Sequence, residues 1–249
     1  MSERASRVLI NCDIGERGVD NETDRALLRE IDIANVACGG HAGDARSATF
    51  FRSESEKLGL TVAAHLSYPD RSNFGRKSVE IDRRSLGKSL RSQLEALQGV
   101  TAVKFHGALY TDSCRSRELA DWLTEWLVRN SVATVLTMPG AALAESCLRA
   151  GIKVLAEAFA ERRYRRDSTG ASVVLVERRL PYASIQDLDD ALAQAESIVM
   201  HHELPVVSDA GRGGLTFDTV PIRADTICIH SDSALALPLA RGLRELVGR

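Results

Sequence analysis

Side chains that can exchange protons or carry charge follow a series of short apolar runs in this sequence. Eight of them stand at or just beyond the end of such a run: Asp13, His41, His65, Lys104, His106, Glu157, His230 and Asp232. If the runs are parallel strands, their carboxyl ends meet on one rim, where active sites of such folds are built. Carboxylates and imidazoles there can transfer protons, and a lysine can stabilise developing negative charge.

The histidines are the most informative members of this set. A single histidine at the end of a strand is more often a structural hydrogen-bonding group than a functional one. Four of the six histidines nevertheless occupy equivalent positions, whereas His201 and His202 end a predicted helix and receive no function. The repeated position predicts that the four converge on one site.

Two polar stretches outside the runs are suited to contact a substrate. The stretch HLSYPDRSNFGRK (65–77) holds Tyr68 and Arg76 in a loop, although its Pro69 and Gly75 would serve a turn equally well. The stretch AERRYRR (160–166) includes Arg162, whose guanidinium can hold a carboxylate or phosphate through two hydrogen bonds. A run of charges is also typical of a solvated face.

The elements that would position these side chains alternate regularly. Seven apolar, β-branched runs are each followed by a turn and a helical pattern: RVLINCD, DIANVAC, TVAAHLS, AVKFHGA, ATVLTMP, KVLAEAF and TICIHSD. This alternation predicts repeated βα units and a mainly parallel sheet. Seven units in 249 residues favour an α/β fold of the seven-stranded, TIM-like β/α barrel type, in one domain over 1–249, rather than an open sheet.

Some segments depart from this rhythm. An extra β-like run at 173–176 follows the sixth unit, and the glycine-rich stretch VVSDAGRGGLTFD (206–218) precedes the last strand. We interpret both as excursions on the barrel. After the fourth strand, the spacing of apolar residues predicts one helix over 115–128.

Composition narrows the class of protein further. A hydrophobic fraction of 44% and a charged fraction of 27% are ordinary for a globular chain, and the net charge is only −2. These values indicate neither a nucleic-acid nor a membrane partner. We find no signal-peptide pattern and expect a cytoplasmic protein whose five scattered cysteines are free thiols. No phosphate-binding P-loop motif occurs in the chain.

Six motifs, in order and spacing, give the chain a resemblance to the LamB/YcsF family. They are NCDIGE (11–16), ANVACGGHAGD (34–44), HLSYPDRSNFGRK (65–77), VKFHGALY (103–110), EAFAERRY (157–164) and TICIHSD (226–232). The resemblance implies a seven-stranded β/α barrel similar to the glycoside hydrolase/deacetylase superfamily. It also implies ATP-dependent opening of the lactam 5-oxoproline to L-glutamate, carried out with two partners, 5-oxoprolinase subunits B and C.

The same motifs imply the positions of the site residues. Those that match are Asn11, Asp13, His41, His65, Lys104, His106, Glu157, Arg162, His230 and Asp232. Opening a lactam requires activation of water, stabilisation of charge on the oxygen and a proton for the departing nitrogen. On this hypothesis Asp13 or Glu157 is the base, Lys104 neutralises charge, and His106 or His230 donates the proton. The substrate would be bound by Asn11, His41, His65, Tyr68, Arg76, Arg162 and Asp232.

Two other functions remain open from the sequence. One is a metal-dependent deacetylase or amidohydrolase of a carbohydrate or a related lactam, in which Asp13, His41 and His65 bind a divalent metal that activates water. The other is a binding subunit without catalysis. The lactam hypothesis itself needs no metal, and the sequence does not choose between them.

Several residues beside the expected site differ from those that the family usually has. Gly40 stands where the family usually has phenylalanine, and Glu161 stands where it usually has aspartate. If the glycine leaves extra room where the family has a phenyl ring, the site would suit a bulkier substrate than 5-oxoproline.

Overall fold

The computed structural model describes residues 7–211 and 214–248 and contains eleven strands within them. These are β1 (Leu9–Ile14), β2 (Ile33–Ala37), β3 (Thr61–Leu66), β4 (Ala102–Phe105), β5 (Thr134–Thr137), β6 (Lys153–Phe159), β7 (Tyr164–Arg166), β8 (Val173–Leu175), β9 (Glu203–Gly211), β10 (Gly214–Pro221) and β11 (Thr226–His230). Seven of them are parallel and close a barrel in the order β1-β11-β6-β5-β4-β3-β2. The predicted seven-stranded β/α barrel is therefore confirmed, on the runs from which it was predicted.

The helices of the described residues surround this barrel. They are α1 (Glu22–Leu27), α2 (Ala45–Lys57), α3 (Arg83–Glu95), α4 (Gly107–Arg115), α5 (Arg117–Arg129), α6 (Ala142–Arg149), α7 (Leu188–Met200) and α8 (Ala236–Leu246). The single helix predicted over 115–128 is wrong at its start, because a separate helix ends at Arg115. Ser116 has extended backbone, and its side chain accepts a hydrogen bond from the Leu119 amide, so it caps α5.

Alternation along the strands decides which side chains point into the barrel. In β1, Ile10 and Cys12 belong to the large core between barrel and helices, whereas Leu9, Asn11 and Asp13 alternate with them and point inward. A small apolar cluster fills the base of the interior: Ile33, Ala63, Ala102 and Leu136. Further along β1, β3 and β4 the inward positions are polar, with Asp13, His65 and Lys104, so these polar residues follow the apolar cluster along their strands.

The two predicted excursions form part of one second sheet. Its strand order is β10-β9-β7-β8, with β7 parallel to β9 and the other two pairs antiparallel. The run predicted at 173–176 corresponds to β8, and most of the glycine-rich stretch corresponds to β9 and β10. Arg212 and Gly213 of that stretch lie outside the described residues. The pairing of β7 with β9 was not predicted, since it joins segments about 40 residues apart.

The cysteines were also the subject of a prediction. All five cysteines are unpaired, and four of them are buried. Among the described helices, none combines the length and the apolar character needed to cross a bilayer.

The loop between β3 and α3 lies over the histidines at the strand ends. The Phe74 carbonyl accepts a hydrogen bond of 3.0 Å from His106 Nε2, and the Gly75 carbonyl accepts one of 2.9 Å from the Ala108 amide. Gly107 has a φ of 57°, and a Cβ there would lie well inside 3.0 Å of the Gly75 carbonyl oxygen. Both the backbone conformation and the close approach of the loop therefore require glycine at this position.

We expect Gly107→Ala to lower the free energy of unfolding by about 3 kcal/mol or more, because it adds a clash with backbone to the strain of a positive φ. Gly140→Ala is the matched control. Its φ is 71°, but nothing lies within 4 Å of the added Cβ, so it should lose only about 1–2 kcal/mol. Urea unfolding of the isolated chain measures both values. Equal losses would show that the contact with Gly75 is unimportant.

Candidate active site

A buried lysine organises the polar residues inside the barrel. Lys104 Nζ lies 3.0 Å from Asp13 Oδ1, 2.9 Å from Glu157 Oε1, 3.2 Å from Asn11 Oδ1 and 2.9 Å from Cys228 Sγ. These residues come from β4, β1, β6 and β11, which are neighbours or face each other across the barrel. The lysine has three hydrogens and four possible acceptors, so it acts on a ligand through its charge rather than through a free N–H.

The charged groups in this network shift one another's pKa values. Burial alone would lower the pKa of Lys104, but Asp13, Cys228 and Glu157 outweigh it and hold the pKa well above its usual value. Burial would likewise raise the pKa of Asp13, yet His65 and Lys104 hold it well below its usual range. The pair is therefore ionised at neutral pH. A carboxylate with so low a pKa is a weak base.

A second cluster lies beside Asp13 and consists of Glu16, His41, His65 and His106. Glu16 Oε1 is 2.8 Å from His41 Nε2 and 3.6 Å from His106 Nδ1, and His65 Nε2 is 2.9 Å from His106 Nδ1. The His41 and His106 rings stack in parallel, with centroids 3.6 Å apart. One possible ligand atom from each of the four residues lies within 4.8 Å of the others, so this cluster could hold a metal ion.

Burial governs the charge state of this cluster. It lowers the pKa of His41 to about 4, and together with the neighbouring His41 and His65 it holds the pKa of His106 well below its usual value. Burial and then the charge of Asp13 raise the pKa of Glu16 to about 7. His41 and His106 are therefore neutral imidazoles at neutral pH.

A histidine and a glutamate form a third arrangement at the end of β11. Glu161 Oε1 accepts hydrogen bonds from the His230 amide at 2.7 Å and from His230 Nδ1 at 2.8 Å. Because Nδ1 donates, Nε2 of the neutral ring carries the lone pair, and it accepts from Arg178 at 3.3 Å. The ring also stacks on Phe159, with centroids 5.7 Å apart. The glutamate thus fixes both the tautomer and the orientation of His230.

An open cavity of about 360 Å³ joins these arrangements at the carboxyl ends of the strands. Asp13, His65, Lys104, His106 and His230 contribute to its wall. Five arginines also line it: Arg76, Arg115, Arg162, Arg178 and Arg179. A cavity of this size with a cationic wall is suited to a small anionic molecule.

Not every residue expected at the site lines this cavity. Glu157 instead lines a neighbouring cavity of about 750 Å³ that extends under β8. His41 lies behind the stacked His106. Tyr68 is buried away from the wall, and its hydroxyl donates to Asp112. The structure therefore assigns this tyrosine to holding the loop against α4.

Three further residues expected at the site form hydrogen bonds or ion pairs within the chain. Two of them are Asn11, which lies below the cavity, and Arg162, which lines it. Asn11 donates to Thr226 and accepts from Asn35, below the level of the cavity. Arg162 lines the cavity but donates to the backbone carbonyls of Ala183 at 3.2 Å and Val176 at 2.8 Å. These bonds make Arg162 a support for the following loop.

The third residue, Asp232, forms a charge pair at the rim. Asp232 Oδ2 accepts from Arg76 at 2.8 Å, and both side chains are about one-third exposed. Burial would raise the pKa of Asp232, but His230 and Arg76 lower it. Asp232 thus contributes to the rim by orienting Arg76.

Sequence reasoning missed three residues of this region. Glu16 and Glu161 lie inside the quoted motifs NCDIGE and EAFAERRY, but neither stands at the end of an apolar run. Arg178 follows the extra strand in VERRLP, where a pair of arginines beside a proline was the available signal. All three act from loops, whose path the sequence pattern did not predict.

Gly40 leaves no extra room at the site. A Cβ at Gly40 would lie 2.5 Å from Ser67 Oγ, and closer still to the side-chain oxygen of Gln93. Gln93 is buried there and forms two hydrogen bonds of 2.9 Å with the backbone of Ser67. The space is therefore filled by α3, and it gives no indication of a bulkier substrate.

Comparison with known proteins places this geometry in a family. The model of the LamB/YcsF family matches residues 8–249. The chain is 32% identical over 248 residues to the A subunit of 5-oxoprolinase from Neisseria meningitidis serogroup C (strain 053442), covering 96% of this chain and 95% of the relative. The crystal structure of the lactam utilization protein from Thermus thermophilus superimposes with a TM-score of 0.78 at 29% identity, covering 97% of this chain and 96% of that one. The chain therefore belongs to the LamB/YcsF family.

Proposed function

We propose that this chain is the lactam-binding subunit of an ATP-dependent 5-oxoprolinase, which opens 5-oxoproline to L-glutamate. The observation that carries the proposal is the oriented His230–Glu161 pair facing a cavity lined by arginines. Its relatives named for 5-oxoprolinase and lactam utilization supply the substrate class.

The arginines account for binding of the substrate carboxylate. 5-Oxoproline carries one carboxylate next to its lactam ring. Arg76 and Arg178 present guanidinium groups at the cavity wall, and Arg178 already lies 3.3 Å from His230 Nε2. A carboxylate held by Arg178 would therefore place the ring close to that nitrogen.

His230 is the residue best arranged to move protons. When Arg178 binds the substrate carboxylate, Nε2 of His230 is released from Arg178 and can take a proton from the water that attacks the lactam carbonyl carbon. The resulting imidazolium is stabilised by Glu161 and can pass the same proton to the ring nitrogen as the carbon–nitrogen bond breaks. This arrangement replaces Asp13 and Glu157 as the base, because Asp13 is held by Lys104 and Glu157 lies behind it.

Lys104 and the partner subunits would stabilise the oxygen. The buried lysine supplies a fixed positive charge beside the cavity, which offsets charge that develops on the carbonyl oxygen. Transfer of a phosphoryl group from ATP to that oxygen, with release of ADP, would make the carbon more electrophilic. Attack by water and cleavage of the carbon–nitrogen bond would then give an acyl phosphate, which a second water hydrolyses to glutamate and phosphate. The chain has no P-loop motif, so we assign ATP binding to subunits B and C.

Reconstitution tests the proposal. The chain is co-purified with subunits B and C from the same organism, and glutamate and ADP are measured from 5-oxoproline and ATP. We expect both products only when all three subunits are present, and little or no ring opening by this chain alone. Absence of glutamate from the complete complex would contradict the proposed function.

The cluster of Glu16, His41, His65 and His106 supports a second candidate function, because it could hold a metal ion. A metal-dependent amidohydrolase would need neither ATP nor a partner. Release of acetate from an acetylated sugar by the isolated chain, abolished by a chelator, would establish that function in place of the lactamase.

A further inference from the structure

The hydrogen bonds of two histidines determine which of their nitrogens carry hydrogen. His65 Nδ1 lies 3.2 Å from the Lys104 carbonyl oxygen, and His106 Nε2 lies 3.0 Å from the Phe74 carbonyl oxygen. A carbonyl oxygen only accepts, so both of these nitrogens donate. When both rings are neutral, as histidine ligands of a metal must be, His65 Nε2 and His106 Nδ1 therefore carry lone pairs.

Those two lone pairs face each other. His65 Nε2 and His106 Nδ1 are 2.9 Å apart, and Asp13 Oδ2 lies 3.2 Å from His65 Nε2. Glu16 Oε1 lies 3.6 Å from His106 Nδ1 and 4.0 Å from His65 Nε2, and it accepts a hydrogen bond of 2.8 Å from His41 Nε2. Three possible ligand atoms, His65 Nε2, His106 Nδ1 and Glu16 Oε1, thus lie within 4.0 Å of one another. With both rings neutral, none of the three supplies a hydrogen to the others, and a cation between them would offset their repulsion.

The spacing of three of these atoms fits a metal ion. Glu16 Oε1, His106 Nδ1 and His65 Nε2 form a triangle with sides of 3.6, 2.9 and 4.0 Å. The point equidistant from the corners of a triangle with these sides lies about 2.1 Å from each of them, inside the triangle. Bonds from zinc to imidazole nitrogen and carboxylate oxygen are about 2.0–2.2 Å long.

We propose that Glu16, His65 and His106 bind a divalent transition-metal ion, of which Zn²⁺ is the first choice for this set of nitrogen and oxygen donors. His41 holds Glu16 toward the ion, and the Lys104 and Phe74 carbonyls orient the two rings. This set differs from the Asp13, His41 and His65 set expected from the sequence, because Asp13 Oδ1 is held by Lys104 and His41 Nε2 by Glu16.

The position of the site gives the ion access to solvent and to ligands. His65 and His106 both line the 360 Å³ cavity, so an ion can enter through its open mouth. The proposal does not depend on the proposed function. Metal binding is a property of the isolated chain, whereas glutamate formation requires subunits B and C and ATP, so each can fail without the other.

Titration of the full chain with Zn²⁺ tests the site. The protein is dialysed against a chelator, then against chelator-free buffer, and binding is followed by isothermal titration calorimetry. We expect one equivalent to bind saturably, and anomalous diffraction to place it between Glu16, His65 and His106. Glu16→Gln and His106→Gln should each weaken binding by about 100-fold or more.

A histidine outside the cluster provides the matched control. His201 is exposed at the end of α7, and His201→Gln should bind Zn²⁺ as the parent does. Glu16→Gln changes only one atom of the side chain, and its circular dichroism shows whether it folds. Zn²⁺ should raise the melting temperature of the parent and of His201→Gln but not of Glu16→Gln. Unchanged affinity in Glu16→Gln would overturn the site. If the parent binds no Zn²⁺ saturably, the site is also overturned. The positive charge between the two rings would then be a proton on His65.

Discussion

Replacing Lys104 with methionine is expected to destabilise the isolated chain by about 3–5 kcal/mol and to lower ring-opening turnover by about 10²–10³-fold. Methionine keeps most of the side-chain volume but removes the charge. Asp13 and Glu157 would then be buried carboxylates without the cation that lies 3.0 and 2.9 Å from them. Urea unfolding measures the first effect, and glutamate formation in the complex with subunits B and C measures the second.

A double variant separates the two effects. Lys104→Met combined with Glu157→Gln removes one of the two uncompensated charges, so it should recover a large part of the lost stability. Turnover should stay low, because the charge beside the cavity is still missing. Recovery of turnover together with stability would show that Lys104 is only structural. Lys88→Met, on the exposed side of α3, should change stability by less than about 0.5 kcal/mol.

His230→Gln is expected to lower kcat of the complex by about 10²–10⁴-fold with a small change in KM. The physical reason is the arrangement of the ring, in which Nδ1 donates to Glu161 at 2.8 Å and leaves Nε2 as the proton acceptor. Glutamine fills a similar space but does not take up a proton. Steady-state glutamate formation, with 5-oxoproline varied at saturating ATP, separates kcat from KM.

Glu161→Gln tests the orientation of that ring by a different route. A glutamine at this position can donate to Nδ1 and so favour the tautomer with hydrogen on Nε2, which does not act as a base. It should lower kcat while His230 itself is retained. A rise in KM at constant kcat in both variants would instead show that the pair binds substrate. His201→Gln should retain the kcat of the parent.

The sequence alone determined the barrel and the rim on which the polar residues lie. Seven apolar runs with β-branched residues, each followed by a helical pattern, are typical of a parallel sheet covered by helices, and seven such units in a chain of this length favour a closed barrel. Side chains alternate along a strand, so Asn11 and Asp13 point to the same interior, and residues such as Lys104 and His230 at strand ends reach one rim. These properties depend on the order of apolar and helical segments and on the two-residue alternation along a strand, and both can be read directly from the sequence.

Only the tertiary structure decided how the rim residues are paired. Glu16 and Glu161 come from loops, and their partners His41 and His230 are 25 and 69 residues away along the chain. Which nitrogen of a histidine carries hydrogen depends on a carbonyl or carboxylate placed by another strand. The filling of the space at Gly40 by Gln93 has the same origin. Such contacts form between segments that are distant in the sequence. The residue types and spacing within one segment therefore do not predict them.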